Sequence, residues 1–230
     1  MREERSDAGG EAEREIATPA RERMRLDREG SRLDAALRGR VERAALEAAG
    51  EFGYPALTVA RVLERSGASR SRFYKHFASK AECYAVAYEL AIDRLSAELL
   101  AVAEAEPSWR AGLRRALAEL AGFVEERPLA AKGLLAEVHV AGGPAMAKRK
   151  EVFERLSRAL DSARRETKSR HSPPPIAAEF IVSAIEESVV SALARGVPEE
   201  FPTAVPDLTY LAVSVYFGEE AAREELEARD

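Results

Sequence analysis

The chain has one cysteine, Cys83, in 230 residues, which excludes an internal disulfide framework and suits a reducing compartment. Long apolar runs are missing as well: no stretch approaches the roughly 20 consecutive apolar residues of a membrane span. The first 30 residues, MREERSDAGGEAEREIATPARERMRLDREG, contain no apolar h-region of a secretory leader. The expectation is a cytoplasmic protein with no membrane partner. The three histidines, His76, His139 and His171, stand far apart, and no His/Cys cluster has metal-ligand spacing. A phosphate-cradling glycine loop and a nucleophile elbow are both lacking, and Glu186–Glu187 is a lone acidic pair expected to face solvent. No enzyme, no metal and no cofactor are expected. Neither β-alternation nor an internal repeat is found.

What is present is helical periodicity and an uneven distribution of charge. Hydrophobic residues make up 46% of the chain, enough to fold one large domain or two modest ones. The net charge of −5 is the sum of a −2 segment over residues 1–30, a +5 segment over 31–80 and a −8 segment over 81–230. A basic module on an acidic body points to a polyanionic partner for the module alone. Residues 1–30 are charge-rich and poor in large apolar groups, and are expected to be a mobile extension.

From Ser31 the residues Leu33, Leu37, Val41, Ala44, Ala45 and Ala48 recur at helical spacing, up to breakers at Gly50, Gly53 and Pro55. Thr58 is an N-cap for a short helix over 59–66, Gly67 a sharp turn, and Ser69 the cap of another short helix ending near Phe77. Ser79 and Glu82 form a capping box opening a long helix with the stripe Tyr84, Tyr88, Ile92, Leu95, Leu99 and Val102. Proline and glycine then punctuate helices over about 107–126, 128–142, 145–170, 176–195 and 206–217, followed by an acidic tail over 219–230. The fold class is all-α, with about nine helices.

Two short helices joined by a tight glycine turn are the helix-turn-helix pattern. Val59, Val62, Leu63 and Phe73 can pack these helices on the first, and Phe77 joins the core. The third helix then presents Arg70, Arg72 and Lys75 to a DNA major groove, with Tyr74 and His76 as phosphate donors. The stretch Thr58–Lys80, TVARVLERSGASRSRFYKHFASK, resembles the DNA-binding signature of the TetR family of transcriptional regulators. Gly67, Ser69, Phe73, Tyr74, His76, Phe77 and Lys80 match its pattern, and Gly53-Tyr54 sits where the family has Gly-Tyr. The close match covers about residues 40–80. It implies phosphate contacts from Thr58, Tyr74, His76 and Lys80, and DNA contacts from Ser69, Arg70, Arg72 and Lys75. Two features depart from the pattern. Ser71-Arg72 replace the usual Gly-Thr or Gly-Ser before the aromatic. Leu63 and Ala49 stand where alanine and phenylalanine are common.

The resemblance also implies a division into a helix-turn-helix domain over 31–78 and an effector-binding and dimerisation domain over 79–218. The partners would be a palindromic double-stranded operator, an unidentified small-molecule effector and a second copy of the chain, with repression the usual outcome. Candidate pocket residues are Trp109, Phe123, Leu135, His139, Met146, Phe153 and Phe180. Candidate dimer-interface residues are Ile181, Ile185, Val189, Ala192, Leu211 and Val215. A second reading is a helical ligand-binding or scaffolding protein whose helix-turn-helix no longer reads DNA.

Overall fold

The computed structural model describes the backbone of residues 20–167 and 173–227, and the side chains of residues 34–167 and 173–226. Residues 1–19, the side chain of Leu33, and His171 lie outside the described residues. By its contacts the chain divides into two units, residues 1–38 and 39–230. In the first, residues 20–38 are the opening part of helix α1, and Leu37 is buried. The helix begins at Ala20, not Ser31, so the expected mobile extension does not include residues 20–30. The Arg, Glu, Met and Leu of that segment are good helix formers, and they outweigh the lack of large apolar groups. All that follows concerns the second unit, and the expected domain boundary at 78/79 falls inside it.

All regular structure among the described residues is helical. The α-helical segments are α1 (Ala20–Phe52), α2 (Val59–Ser66), α3 (Arg70–His76), α4 (Lys80–Glu104), α5 (Trp109–Glu126), α6 (Pro128–Ala131), α7 (Val138–Ala141), α8 (Gly143–Asp161), α9 (Ala177–Arg195), α10 (Glu200–Phe217) and α11 (Glu219–Glu227). A π-helical turn, Lys132–Ala136, joins α6 to α7, and a 3-10 turn, Ser162–Arg165, ends α8. With 128–141 taken as one broken helix there are ten helical runs, against about nine expected. The tenth is α11, which the sequence reading left as a tail.

The N-terminal caps form as the sequence predicts. Thr58 Oγ1 accepts from Arg61 N, Ser69 Oγ from Arg72 N and Ser79 Oγ from Glu82 N. Glu82 reaches back one residue further than a capping box requires, to Ala78 N at 2.7 Å. Ser108, and not Pro107, caps α5. α10 starts six residues before Pro206 and carries that proline in its interior. Pro206 forfeits one backbone hydrogen bond, and packing of α10 on α5, α9 and α11 offsets the loss. α11 is held down by charge: the Glu225 side chain, 2% exposed, accepts from Arg110 and Arg114, and Arg110 also bonds Glu224 and Ala221 O.

α4 packs on α5 and α8, and α8 on α9. The stripe Tyr84, Tyr88, Ile92 and Leu95 is buried between them. Cys83 is fully buried beside it. Desolvation, reinforced by Glu42 and Glu82, pushes its thiol up to about 12. It is therefore protonated at neutral pH, which argues against redox chemistry there.

Candidate nucleic-acid interface and ligand cavity

Three elements set the angle of α3. Gly67 takes φ +67° and its N–H bonds Leu63 O at 2.9 Å, ending α2 in a left-handed cap that only glycine adopts without cost. Phe73 and Phe77 are buried with ring centroids 5.4 Å apart, alongside Val62 and Leu57. Val59 and Leu63 are only half-buried. The side chains left on the outside of α3 are Arg70, Ser71, Arg72, Tyr74 and Lys75, all exposed. The Tyr74 ring meets Phe73 edge-on and is 49% exposed, so its body packs while its hydroxyl stands in solvent.

The other arginines of the motif are used internally. Arg65 bonds Glu47 at 3.2 Å and also Glu51, tying α2 to α1. Arg61 bonds Ala56 O and lies 4.0 Å from the Phe52 ring. The cationic side chains on α3 thus form the outward basic face, and α3 has no acidic residue.

Two predicted phosphate contacts are placed differently from expectation. The Lys80 ammonium donates to Leu57 O at 2.7 Å, Pro55 O at 3.3 Å and Tyr54 O at 3.4 Å, and sits 5.2 Å from the Tyr54 ring. It fastens the turn before α2, because three carbonyls converge where its three donors can reach them. His76 is half-buried, with Nε2 shielded from solvent and unbonded among the described residues.

The same turn is gripped from the body. Tyr54 N donates to Glu137 Oε2 at 2.7 Å, and Tyr84 Oη donates to Gly133 O at 2.7 Å within the π-turn region. Here α1 crosses residues 129–133 with backbone against backbone. A Cβ on Gly50 would strike the Leu129 carbonyl, and one on Gly133 the Leu46 carbonyl. Nothing local in the sequence marks Gly133 or Glu137, since their partners lie about 80 residues away.

Leu135, on the same π-turn, lines a cavity of about 90 Å³ together with Tyr88, Phe153 and the Arg149–Glu186 pair. A larger cavity of about 390 Å³ lies against Trp109, Leu113 and Leu160. The Arg149–Glu186 pair is a two-pronged fork, with Nε–Oε1 at 2.7 Å, so Glu186 is held by α8 and does not face solvent as predicted. Asp93 is bonded by Lys148 at 2.8 Å and Arg155 at 3.0 Å. Burial alone would raise its pKa, but these bonds and charges together hold the carboxyl below its ordinary value.

The predicted pocket residues are only partly brought together. Trp109 lines the larger cavity; Leu135 and Phe153 line the smaller. Phe123 and Met146 line neither, and His139 is an exposed side chain 3.7 Å from Glu186. Phe180 is 72% exposed and lines neither cavity. Of the predicted interface residues, Ile181, Val189 and Ala192 are buried within the chain's own core, and Ile185 lines the larger cavity. α9 is apolar on more than one side, and its inward side had been assigned to the dimer. The outward side carries Phe180, Ser183 and Glu187, with an exposed Ile176 just before the helix; on α10 Leu211 is exposed and Val215 half-buried.

Residues 43–87 match the family of bacterial regulatory proteins, tetR family. These residues carry the N-terminal domain of the TetR family. The fold extends the likeness over most of the chain. The fatty acid degradation regulator FadR from Bacillus halodurans superposes with a TM-score of 0.66 at 14% identity, over 76% of this chain and 96% of that one. FadR from Bacillus subtilis in complex with stearoyl-CoA gives 0.67 at 14%, over 76% and 97%. A gamma-butyrolactone receptor (ArpA-like protein) gives 0.61 at 19%, over 84% and 98%. No curated protein matches the chain in sequence. Among the described residues no helix is long and apolar enough to cross a membrane, and no group of three or more His, Cys, Asp or Glu side chains could hold a metal ion.

Proposed function

We propose that this TetR-family protein binds a palindromic operator as a homodimer and represses transcription until a small-molecule effector enters the body. The observation that carries the reading is the outward face of α3: Arg70, Arg72, Tyr74 and Lys75 are exposed together on a helix fixed by Phe73 and Phe77. Arg72 offers a two-pronged donor for a guanine, Arg70 and Lys75 flank it, and the Tyr74 hydroxyl donates to phosphate. Thr58 and Ser69, exposed at the two helix starts, place their hydroxyls and the adjacent backbone N–H groups toward the same backbone. Lys80 acts by holding the turn before α2, and so positions the reading helix without touching the DNA.

The outward stripe of α9 and α10 serves as the dimer face. Ile176 at 64%, Phe180 at 72% and Leu211 at 53% exposed are large apolar side chains left in water, the kind of surface that a partner covers. The two-fold axis would set two α3 helices about 34–36 Å apart, one turn of the duplex. Phe180→Glu is expected to shift the protein to monomers in sedimentation and to weaken operator binding.

Effector and operator are linked through the π-turn. Leu135 faces the smaller cavity while Gly133 and Glu137, two residues to either side, hold α1 and the Tyr54 turn. A ligand pressing on Leu135 displaces both anchors, and by linkage DNA must weaken the effector by the same factor. The neighbour named as a stearoyl-CoA complex supports a small-molecule effector for a protein of this fold. The test is selection of bound genomic fragments followed by a salt titration. Operator binding should show one preferred inverted repeat and a steep fall of log K with log[salt]. Absence of any preferred fragment would leave the scaffolding reading standing instead.

A further inference from the structure

The two cavities share the walls Leu99, Leu120, Leu156 and Val182. Along α4 the smaller is lined from Tyr88 to Leu99 and the larger from Leu99 to Glu104; α8 shows the same order, from Arg149 to Leu156 and from Leu156 to Leu160, while α9 lends Val182 to both. They therefore lie end to end between the same helices. Sixteen residues of α4 separate the extreme lining positions, a run of about 24 Å at the helical rise. The middle of this run is aliphatic, and the larger chamber falls within the roughly 300–1,000 Å³ of small-molecule sites.

The charges at the two ends are already committed or mixed in sign. At the inner end Arg149 meets Glu186 in a two-pronged pair, which leaves no net charge to meet a ligand ion. At the outer end Glu104, Glu106 and Glu166 stand with Arg158 and Arg165, and Glu166 already accepts from Trp109 N at 3.1 Å. An anionic head at the outer rim meets more acid than base, while a cationic head at the inner end would compete with Arg149 for Glu186. The cation would have to displace Arg149 from Glu186, and the anion would give up hydration to face three carboxylates against two guanidiniums.

Resting on the regulator reading above, we infer that the effector is a linear, uncharged molecule with an aliphatic chain, threaded along α4 through the constriction at Leu99, Leu156 and Val182 into both chambers. Burial of that chain supplies the affinity, so affinity follows chain length, at about fourfold per methylene.

The test is calorimetric titration of the full chain with 1-hexanol, 1-octanol and 1-decanol, then with decanoate and decyltrimethylammonium. The expected result is a rise of about fourfold per methylene, with decanol bound at least tenfold more tightly than either ion. Val182→Phe should abolish the gain from octanol to decanol while hexanol still binds. Leu99→Phe, on the opposite wall, is the second variant should the first not fold. A flat length series, or tighter binding of either charged probe, overturns the inference. These titrations contain no DNA. If decanol binds as expected and no operator is found, the regulator reading fails and the ligand class stands; operator binding with no alkanol binding gives the reverse.

Discussion

The arginines of α3 and those of α8 sit within one contact unit and are used in opposite ways. Arg70 and Arg72 stand exposed on a helix with no acidic residue. On α8, Arg149 is forked to Glu186, and Arg155 bonds Asp93 together with Ser96. The side chain is the same and its charge does not change with pH in the working range. What differs is whether the fold supplies an anion. In the body the anions are intramolecular and the pairs lock α8 against α4 and α9. On α3, Arg70 and Arg72 have no anion beside them among the described residues, so an external one fits. Arg65 of α2, five residues before Arg70, belongs with the body in this respect, being tied to Glu47 and Glu51.

That contrast can be broken at several points. Replacing Arg70 and Arg72 together by alanine should lower operator affinity roughly a hundredfold or more, at about 1–3 kcal/mol per base contact, with thermal stability moved by less than about 0.5 kcal/mol as for ordinary surface changes. Fluorescence anisotropy on the selected operator and a melting curve measure the two effects. A large loss of stability would place these arginines with those of the body.

Glu186→Ala should cost about 1–3 kcal/mol in urea unfolding, because a half-buried Arg149 loses its partner. The double change Arg149→Met with Glu186→Met should recover most of it, since an apolar pair of similar volume can replace a buried ion pair. Failure of the rescue would mean that the fork does more than balance charge.

The smallest effect concerns pH. Asp93 has its folded pKa below the ordinary carboxylate value, so its contribution is fully present above about 3.9, the unfolded value, and is lost as pH falls through the folded value. More than a third of the side chain is exposed, and solvent screening keeps the contribution under about 1 kcal/mol. Asp93→Asn should therefore flatten the acid side of the stability profile, the difference from the parent fading as pH falls through the folded value.

The parts legible in the sequence were those decided within a few residues. The caps at Thr58, Ser69 and Ser79, the turn at Gly67 and the burial of Phe73 and Phe77 each follow from local chemistry, and so does the exposed face of α3. What was not legible depends on partners far along the chain. α9 is apolar enough to bury either side, and only its packing on α8 and α10 decides that Ile181 goes inward and Phe180 outward. Lys80 looked available for phosphate until three carbonyls from the turn before α2 were seen around it. The helix over 219–227 reads as a solvated acidic tail because Arg110 and Arg114 lie more than 100 residues earlier. Pro206 is a sound local reason to start a helix, and tertiary packing overrode it.

The crossing of α1 over residues 129–133 has a consequence for selection. Gly50 faces the Leu129 carbonyl and Gly133 faces the Leu46 carbonyl, so each position is closed to every other amino acid by backbone that cannot rotate away. Neither can be relieved by shrinking a neighbour, since the obstructing atoms belong to no side chain. A library randomised at both codons, with flanking positions left free and sorted for operator binding, should return glycine at 50 and 133 while Gly122, with open space around it, drifts to alanine. Two glycines about 80 residues apart would then be inherited as a single trait.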